Sequence, residues 1–470
     1  MVHYDLAIIG SGSGNTLITP EWDNKKVAII EGGTFGGTCL NVGCIPTKML
    51  VYPAELARAA DDAGRLGVDL QHTGTRWADL RDRIFTRIDS ISEAGRAYRA
   101  DELQHVDLYE EEARFTADRT LVTASGAVIT ADQVVIAAGS RPVVPGIPGL
   151  DLPQVHTSDT VMRLDEQPRR MLIIGGGYIA AEFAHVFSAL GTDVTLAVRS
   201  GQLLRSLDHT VSERFTERAQ SQWTVLTGRQ VTRVDSNADG SVTATVVATD
   251  GGESKVGADV VLVATGRTPN SDRVGALEAG FDLTADGRIA VDAFQRVTRE
   301  GKPVPGVWAL GDISSPFQLK HVANHEARVV SHNLLHPDAL HASDHRYVPA
   351  AVFTRPQIAT VGLTEEQALE RAERTGSRVA VAVQQYGSTA YGWAMEDTTG
   401  IVKILAEEDT GTILGAHIMG HEASNLIQPL IQAMHFGLDA FTMARGQYWI
   451  HPALAEVVEN ALLSLRAPST

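Results

Sequence analysis

Six short apolar runs, nearly unbroken, punctuate the chain up to residue 264: Leu6–Ile9, Val27–Ile30, Val134–Ala138, Met171–Ile174, Val194–Val198 and Val260–Ala264. They do not alternate with polar residues, so each predicts a parallel strand buried on both faces. Gly10-Ser11-Gly12-Ser13-Gly14-Asn15 follows the first run at once, and Gly175-Gly176-Gly177-Tyr178-Ile179-Ala180 follows the fourth. A helical stretch and another apolar run come next in both places. The later helix is predicted over Ala181–Leu190, ending at Gly191; the earlier one is short and contains Pro20. One strand, glycine turn, helix, strand unit is thus written twice, 165 residues apart.

Between the two units, residues 76–100 predict a helix with a polar face. Residues 303–311 predict a loop followed by a short strand. The C-terminal part mixes strands with amphipathic helices, as a third domain. The Pro/Gly-rich stretch Val143–Gly149 and the segment Asp344–Pro349 mark boundaries.

Composition narrows the class. The 470 residues are 44% hydrophobic and 21% charged, with a net charge of −17. That excludes a disordered, collagenous or disulfide-stapled chain and, at about 150 residues per domain, suggests three domains. An acidic surface repels phosphate backbones, so no nucleic-acid or anionic-membrane partner is expected. With no leader pattern at Met1–Asp5 and no apolar run long enough to span a bilayer, a cytoplasmic, soluble protein is expected.

The glycine turns have the chemistry of dinucleotide sites: a tight turn, close backbone approach to pyrophosphate and close helix–strand packing. In the first, Gly10 and Gly12 meet two of these needs, but Asn15 stands where a third glycine belongs. Glu31, 21 residues after Gly10, is placed to bind ribose hydroxyls. The plain alternative is a glycine turn without a ligand. The second turn is a cleaner match through Gly175, Gly177 and Ala180. Its following strand ends not in an acid but in Arg199, with Arg205 six residues on. Two guanidinium groups there suit a 2′-phosphate and so favour NADPH over NADH; two solvated arginines are the alternative. Two dinucleotide sites of different character suggest a flavoprotein fed by a nicotinamide.

Cys39 and Cys44, the two cysteines of the chain, follow the first unit within Gly36-Gly37-Thr38-Cys39-Leu40-Asn41-Val42-Gly43-Cys44-Ile45-Pro46-Thr47-Lys48. A zinc site would need two more ligands, and no histidine stands nearby in sequence; no metal site is expected. Gly43 and Pro46 suggest an irregular helix start, where a thiol is acidified. A close pair can cycle between dithiol and disulfide; two small buried apolar side chains are the bland alternative.

This segment resembles the redox-active disulfide signature of the flavoprotein pyridine nucleotide–disulfide oxidoreductases of the glutathione reductase type. Ala264–Asn270, Val307–Asp312, Val352–Pro356, Val361–Thr364 and His451–Glu456 resemble further motifs of that family, so the likeness covers essentially the whole chain. Gly10–Asn15 with its shortened helix, Tyr391–Asp397 and Ala444–Pro452 resemble one branch of it, acting on the disulfide of a sugar-bearing thiol of low molecular weight.

The resemblance implies an α/β fold with two Rossmann-like dinucleotide-binding domains, for FAD and NADPH, and a C-terminal α+β dimerisation domain. The FAD domain would span 1–148 and 267–343, the NADPH domain 149–266 and the interface domain 344–470. Along FAD it places Gly10, Gly12, Gly14, Glu31, Gly37, Thr38, Lys48, Ala113, Gly139 and Asp312. Along NADPH it places Gly175, Gly177, Tyr178, Ala180, Glu182, Arg199, Arg205 and Gly266. Cys39 and Cys44 would form the redox-active disulfide. Cys44 would face the flavin as a thiolate, and Cys39 would attack a small-molecule disulfide. His451 of the partner subunit would act as general acid/base, oriented by Glu456, so that a homodimer shares its active sites. Without the resemblance, His451–Pro452 and Glu456 read as an ordinary helix start with Pro452 at its first position. Lys48 would pair with Glu182 beside the flavin, and Tyr178 would shield the flavin until NADPH displaces it; a helix cation and a core aromatic are the plain readings.

His321, His325, His332 and His336 fall on one predicted helix and invite a metal, but packing or solvated histidines are favoured. Within the family, dihydrolipoamide dehydrogenase chemistry with NAD is opposed by Arg199 and Arg205. Mercuric reductase chemistry is opposed by the missing C-terminal cysteine pair. A redox-responsive flavoprotein without turnover would have little use for Cys39, Cys44, His451 and Glu456 together.

Overall fold

The apolar runs form the parallel centres of two sheets, the first of them mixed. In the first, strands follow the order Arg296–Arg299, Lys302–Ala309, Val128–Ile136, Val2–Ile9, Val27–Ile30, Val106–Tyr109, with the hairpin Ala113–Ala117/Thr120–Thr123 beside Val128–Ile136. Leu6 pairs with Val27 and Gln133, Ile9 with Ile30 and Ile136. Successive side chains enter opposite faces. Ala7, Ile9, Ala28, Ile30, Val134 and Ile136 pack in one cluster with Phe281 and Val307, while Leu6, Ile8, Val27, Ile29 and Val135 pack in another with Trp22 and Trp308. Two covered faces explain why the runs carry no alternation. At about 1.5–3 kcal/mol per fully buried aliphatic side chain, these strands dominate the burial that stabilises the unit.

The second sheet, all parallel, has the order Thr224–Thr227, Asp193–Val198, Arg170–Ile174, Val260–Val263, Val155–Thr157. A three-stranded antiparallel sheet, Arg229–Ser236, Val242–Ala248 and Glu253–Ala258, packs beside it. The chain leaves the first unit through Ser140–Pro142 and returns through Arg267–Pro269, and these two segments pair with each other as an antiparallel ribbon. The C-terminal part is an antiparallel sheet in the order Ala350–Val352, Gln357–Gly362, Ile413–Gly420, Ile401–Glu407, Val379–Gln385, covered by helices that include Ala455–Ser464.

The helices that position the site are α1 (Gly37–Asn41), α2 (Cys44–Ala63), α3 (Trp77–Ala97), α4 (Tyr178–Ala189), α5 (His209–Gln220), α6 (Lys320–Leu335) and α7 (Glu365–Thr375). The computed structural model describes residues 1–465; residues 466–470, the end of the expected 344–470 segment, lie outside the described residues.

Three local expectations are corrected. The helix expected after the first glycine turn is two 3₁₀ turns, Gly14–Leu17 and Pro20–Trp22, because Pro20 opens a new turn rather than continuing a helix. Residues 303–309 are strand throughout: Lys302–Ala309 tolerates Pro303 because its first half pairs only with Arg296–Arg299, outside the parallel ladder. The C-terminal helix starts at Ala455, so Pro452 lies in the bend before it and not at its first position.

Candidate active site

Gly10 sits at φ 102°, and a Cβ there would stand 2.3 Å from the Ala137 carbonyl oxygen of the neighbouring strand. Glycine is therefore required where the first sheet turns out. The close-packing role expected of the residue three past Gly12 falls instead to Gly14, whose Cβ would lie 2.8 Å from Ile8 and 2.9 Å from Ala137. Asn15 is thereby free to make a different contact. Its side-chain oxygen accepts from Arg99 Nε at 2.8 Å, tying the turn to the segment after α3. Glu31 ends its strand and accepts from the Ser11 N–H (2.8 Å), Ser11 Oγ (2.6 Å) and the Gly33 N–H (2.8 Å), which draws the strand end over the glycine turn.

A second glycine loop meets the first. A Cβ on Gly37 would be 2.7 Å from Gly12 Cα, so the two backbones touch. Buried Asn41 clasps this loop by donating to the carbonyls of Phe35 (2.9 Å) and Gly37 (3.1 Å). The loop leads directly into α1, which carries Thr38 and Cys39. Ala113, buried at the start of its strand, follows Glu112, which lies against Gly32.

Cys39 lies within α1, and Cys44 is the first residue of α2, a 20-residue helix with no side-chain cap. Gly43 makes the junction possible, since a Cβ there would stand 2.8 Å from the Thr38 carbonyl oxygen. Both cysteines are free thiols, and Cys44 is exposed. The Cys39 thiol neighbours the Cys44 sulfur. The neighbouring Cys39 thiol, the Lys48 ammonium and the Cys44 backbone N–H bring the Cys44 thiol down to about 7, against the desolvation that opposes it. The same proximity to Cys44 and its charge, with desolvation, pushes Cys39 well above the usual thiol range. The pair thus has one thiol held protonated and one poised to ionise.

One turn along α2, Lys48 Nζ donates to Glu182 Oε2 on α4 at 2.7 Å. The pair is placed by the packing of α2 against α4, which also buries His185 uncharged; burial pulls its pKa down to about 3. The other Glu182 oxygen accepts from the Phe353 N–H at 2.9 Å, and Lys48 Nζ stands 4.3 Å from the centroid of the Phe353 ring. Lys48 is therefore clamped between two elements far apart in sequence. Tyr178, at the start of α4, is 41% exposed, so it is not the core aromatic that its sequence also allows.

Asp312 lies on the 3₁₀ turn Gly311–Ile313, which buried Glu326 holds through the Gly311 N–H at 2.7 Å. Asp312 accepts from Ser140 Oγ (2.6 Å), which in turn accepts from Arg267 Nε (2.8 Å). Gly139 (φ 64°) and Gly266 (φ 130°) flank the crossover ribbon, and nothing stands within 4 Å of a Cβ at either. Lys320, opening α6, donates to Ser13 Oγ at 2.8 Å, and its charge acts on Cys39.

In the second unit Gly175 (φ 141°) repeats the role of Gly10, with the Ala264 carbonyl oxygen 2.2 Å from its Cβ position. Gly177 precedes α4 with open space around it and no capping side chain, leaving the first N–H groups of a 12-residue helix free, while Ala180 is fully buried. Arg199 and Arg205 lie just past the strand Asp193–Val198, both exposed, with no ion pair among the described residues. The two turns fit dinucleotides: backbones stripped of side chains where pyrophosphate would lie, an uncapped helix N-terminus in one, and a carboxylate or arginines past the end of the next strand.

His451 Nδ1 and Glu456 Oε1 are 2.6 Å apart, and the Glu456 carboxyl also accepts from the Ala453 N–H. The His451 side chain is 71% exposed, and Tyr448 and Ile450 beside it are exposed too. No hydrogen bond or ion pair joins this pair to the cysteine segment among the described residues. The histidines on and just after α6 bond locally: His321 and His332 meet the carbonyls of Pro349 and Ala339, His336 that of His332, and His325 accepts from the Asp344 N–H. Among the described residues no three His, Cys, Asp or Glu side chains are grouped to hold a metal.

Sequence reasoning assigned no part to Phe353, Ser140, Lys320 or Arg267. Phe353 and Arg267 stand inside motifs already singled out; Ser140 and Lys320 carry no sequence signal of their own.

Comparison with known proteins agrees with this geometry. The family described as pyridine nucleotide-disulphide oxidoreductase matches residues 4–327, and its dimerisation domain matches residues 348–462. The chain belongs to the pyridine nucleotide-disulphide oxidoreductases; it is an FAD-containing, NADPH-dependent disulfide oxidoreductase with a dimerisation domain at its C-terminus. It is 54% identical to the mycothione reductase of Mycobacterium tuberculosis (strain ATCC 25618 / H37Rv), over 99% of this chain and 100% of that one. That is the branch resembled by the three segments above. It is 33% identical to the glutathione reductase of Burkholderia cepacia, over 96% and 97% of the two chains. Among solved structures, the Cu(II) complex of the HOCl-induced flavoprotein disulfide reductase RclA from Escherichia coli superposes with a TM-score of 0.84 at 26% identity, covering 99% of this chain and all of that one. No helix among the described residues is long and apolar enough to cross a membrane.

Proposed function

We propose that the enzyme reduces mycothione to two molecules of mycothiol at the expense of one NADPH, through Cys39 and Cys44. The observation that carries the reaction is the thiol pair itself: Cys44 at a helix N-terminus beside Lys48, and Cys39 next to it on the preceding short helix, both free thiols. The full-length likeness to a mycothione reductase, well above that to a glutathione reductase, supports the substrate. The reading divides the chain into an FAD portion (1–148 and 267–343), an NADPH portion (149–266) and an interface portion (344–470). The first two meet at the Lys48–Glu182 pair. FAD supplies the two-electron relay between the nicotinamide and the thiol pair.

The exchange steps belong to the chain's own residues. Cys39 gives its proton to His451 of the partner subunit and attacks one sulfur of the substrate disulfide, forming a mixed disulfide. The departing sulfur takes the proton back from the imidazole, and the first thiol leaves. Cys44, as thiolate, attacks the Cys39 sulfur; the Cys39–Cys44 disulfide forms and the second thiol leaves with a solvent proton. Glu456 stabilises the imidazolium in between and fixes the ring through Nδ1. Sharing the site between subunits explains why His451 is exposed and unconnected to the cysteines of its own chain. Lys48, held by Glu182 and Phe353, offers a fixed positive charge where the isoalloxazine would lie. A pair that must return to the dithiol at every turnover suits a reducing cytoplasmic compartment.

NADPH oxidation measured with mycothione, glutathione disulfide and lipoamide side by side tests the proposal. Mycothione should be turned over fastest; equal rates with glutathione disulfide overturn the substrate. The acidity of Cys44 has its own test. Because its pKa is shifted downward, the thiolate is present above about pH 7 and is lost as pH falls through that value. Alkylation of the reduced enzyme by iodoacetamide should rise with a midpoint near pH 7. A midpoint at the ordinary thiol value, about 8.5, counts against the arrangement.

A further inference from the structure

The loop between Arg199 and α5 is anchored at both ends. The Leu203 N–H donates to Thr216 Oγ1 (3.0 Å), and its carbonyl accepts from Ser212 Oγ (2.5 Å), both on α5. Leu204 lies in the left-handed region at φ 51° and donates its N–H to the carbonyl of Gly176, inside the second glycine turn, at 2.7 Å. Three residues past Arg205 comes Asp208, whose side chain is fully buried.

Asp208 joins two parts of the molecule. Its Oδ1 accepts from the Thr210 N–H (3.0 Å), capping α5, and from the ammonium of Lys403 (2.7 Å), on the C-terminal strand Ile401–Glu407. Its Oδ2 accepts from the N–H of Glu365 (3.0 Å), the first residue of α7. One carboxylate thus serves the first turns of two helices, one from each part. Lys403, 1% exposed, also donates to Thr210 Oγ1 (2.9 Å) and forms an ion pair with Glu365 Oε2 (2.6 Å). Two hydrogen bonds and a second carboxylate surround the ammonium, which is what allows a charge to stay buried there. Apolar packing could hold the two parts together as well. Directional bonds add something else: they fix where the Asp208 backbone lies, and with it the end of a short loop. Arg205, on that loop, is exposed with no ion pair among the described residues, so its position is set by the backbone.

We propose that Lys403 is a positioning residue for 2′-phosphate recognition: from the C-terminal part of the molecule it locks Asp208, and thereby the backbone that presents Arg205. This rests on the reading of Arg199 and Arg205 as the 2′-phosphate ligands. No nucleotide contact is asked of Lys403.

Calorimetric titration of the FAD-loaded enzyme with adenosine 2′,5′-bisphosphate and with adenosine 5′-monophosphate isolates the 2′-phosphate contribution as a ratio of affinities. Lys403→Met keeps most of the stem and removes the charge. Asp208→Asn keeps an acceptor for the α5 cap and serves where the first variant does not fold. The ratio should fall roughly tenfold in either variant, equivalent to about 1.4 kcal/mol, with monophosphate affinity unchanged. The KM for NADPH should rise while kcat holds. A lowered melting temperature with an unchanged ratio is the result of a purely structural junction and overturns the proposal. Arg205→Ala separates the two levels. If it loses the ratio and Lys403→Met keeps it, only the positioning role fails; if it keeps the ratio, the 2′-phosphate reading fails and the proposal with it.

Discussion

The two glycine turns are alike at their first residue and different everywhere after it. Gly10 and Gly175 both adopt positive φ, and each faces a carbonyl of the adjacent strand, 2.3 and 2.2 Å from the Cβ position. Past that point the second turn runs into α4, whose uncapped N-terminus points at the turn. The first runs into two 3₁₀ turns and has no α-helix there; a second glycine loop at Gly37 presses on Gly12 instead. What the motif secures is the escape of the chain from the sheet edge past a neighbouring strand. The helix that follows is an option, and its electrostatic help can be replaced by backbone brought from elsewhere.

The comparison can be broken most sharply at the shared residue. Gly10→Ala and Gly175→Ala should each destabilise by about 3–5 kcal/mol, combining strain at positive φ with a forced shift of the facing strand. Thermal unfolding checks this, and a mild effect at one position alone would mean that the turns are not equivalent even there. The next effect concerns the ends of the second strands. Replacing both Arg199 and Arg205 by Ser should lower kcat/KM for NADPH relative to NADH about 10- to 150-fold, the equivalent of roughly 1.5–3 kcal/mol of charge-assisted bonding. An unchanged ratio would remove the distinction drawn between Glu31 and these arginines. The smallest effect is at the third position. Gly14→Ala forces a methyl into Ile8 and Ala137 and should cost about 1–3 kcal/mol, whereas Ala180→Gly in α4 should cost about 1 kcal/mol, mostly as helix propensity. Denaturant midpoints compare them; equal and negligible losses would show that neither residue controls helix–strand packing.

The fold class is legible because buried parallel strands leave an unmistakable pattern, from Leu6–Ile9 to Val260–Ala264. The thiol pair is legible because cysteine is so scarce. Less so are features that depend on chain segments meeting. Asn15 looks like a defect in the motif until Gly14 is seen against Ile8, a contact that local spacing does not encode. Lys48 and Glu182 are 134 residues apart, and only the packing of α2 on α4 makes them a pair. Phe353 stands inside the Val352–Pro356 motif, but its part shows only against Lys48 and Glu182; Lys403 carries no signal at all, since a lysine in a strand is ordinary until its neighbours are known. The start of the last helix is misjudged for the opposite reason: proline is common at a first helical position, but here the bend at His451–Pro452 precedes the helix by three residues.

The ribbon of Ser140–Pro142 against Arg267–Pro269 gives the molecule a nested architecture. Entry and exit lie side by side, so everything between them is an insertion into a loop of the host unit, and a short turn could close the gap it leaves. Such a cassette can be exchanged between relatives without re-threading the host sheet. A graft would still have to supply the carboxylates that Lys48 and Lys403 meet, because the cassette is also moored non-covalently, at Glu182 and at Asp208. Modularity here has a docking requirement as well as a splice site.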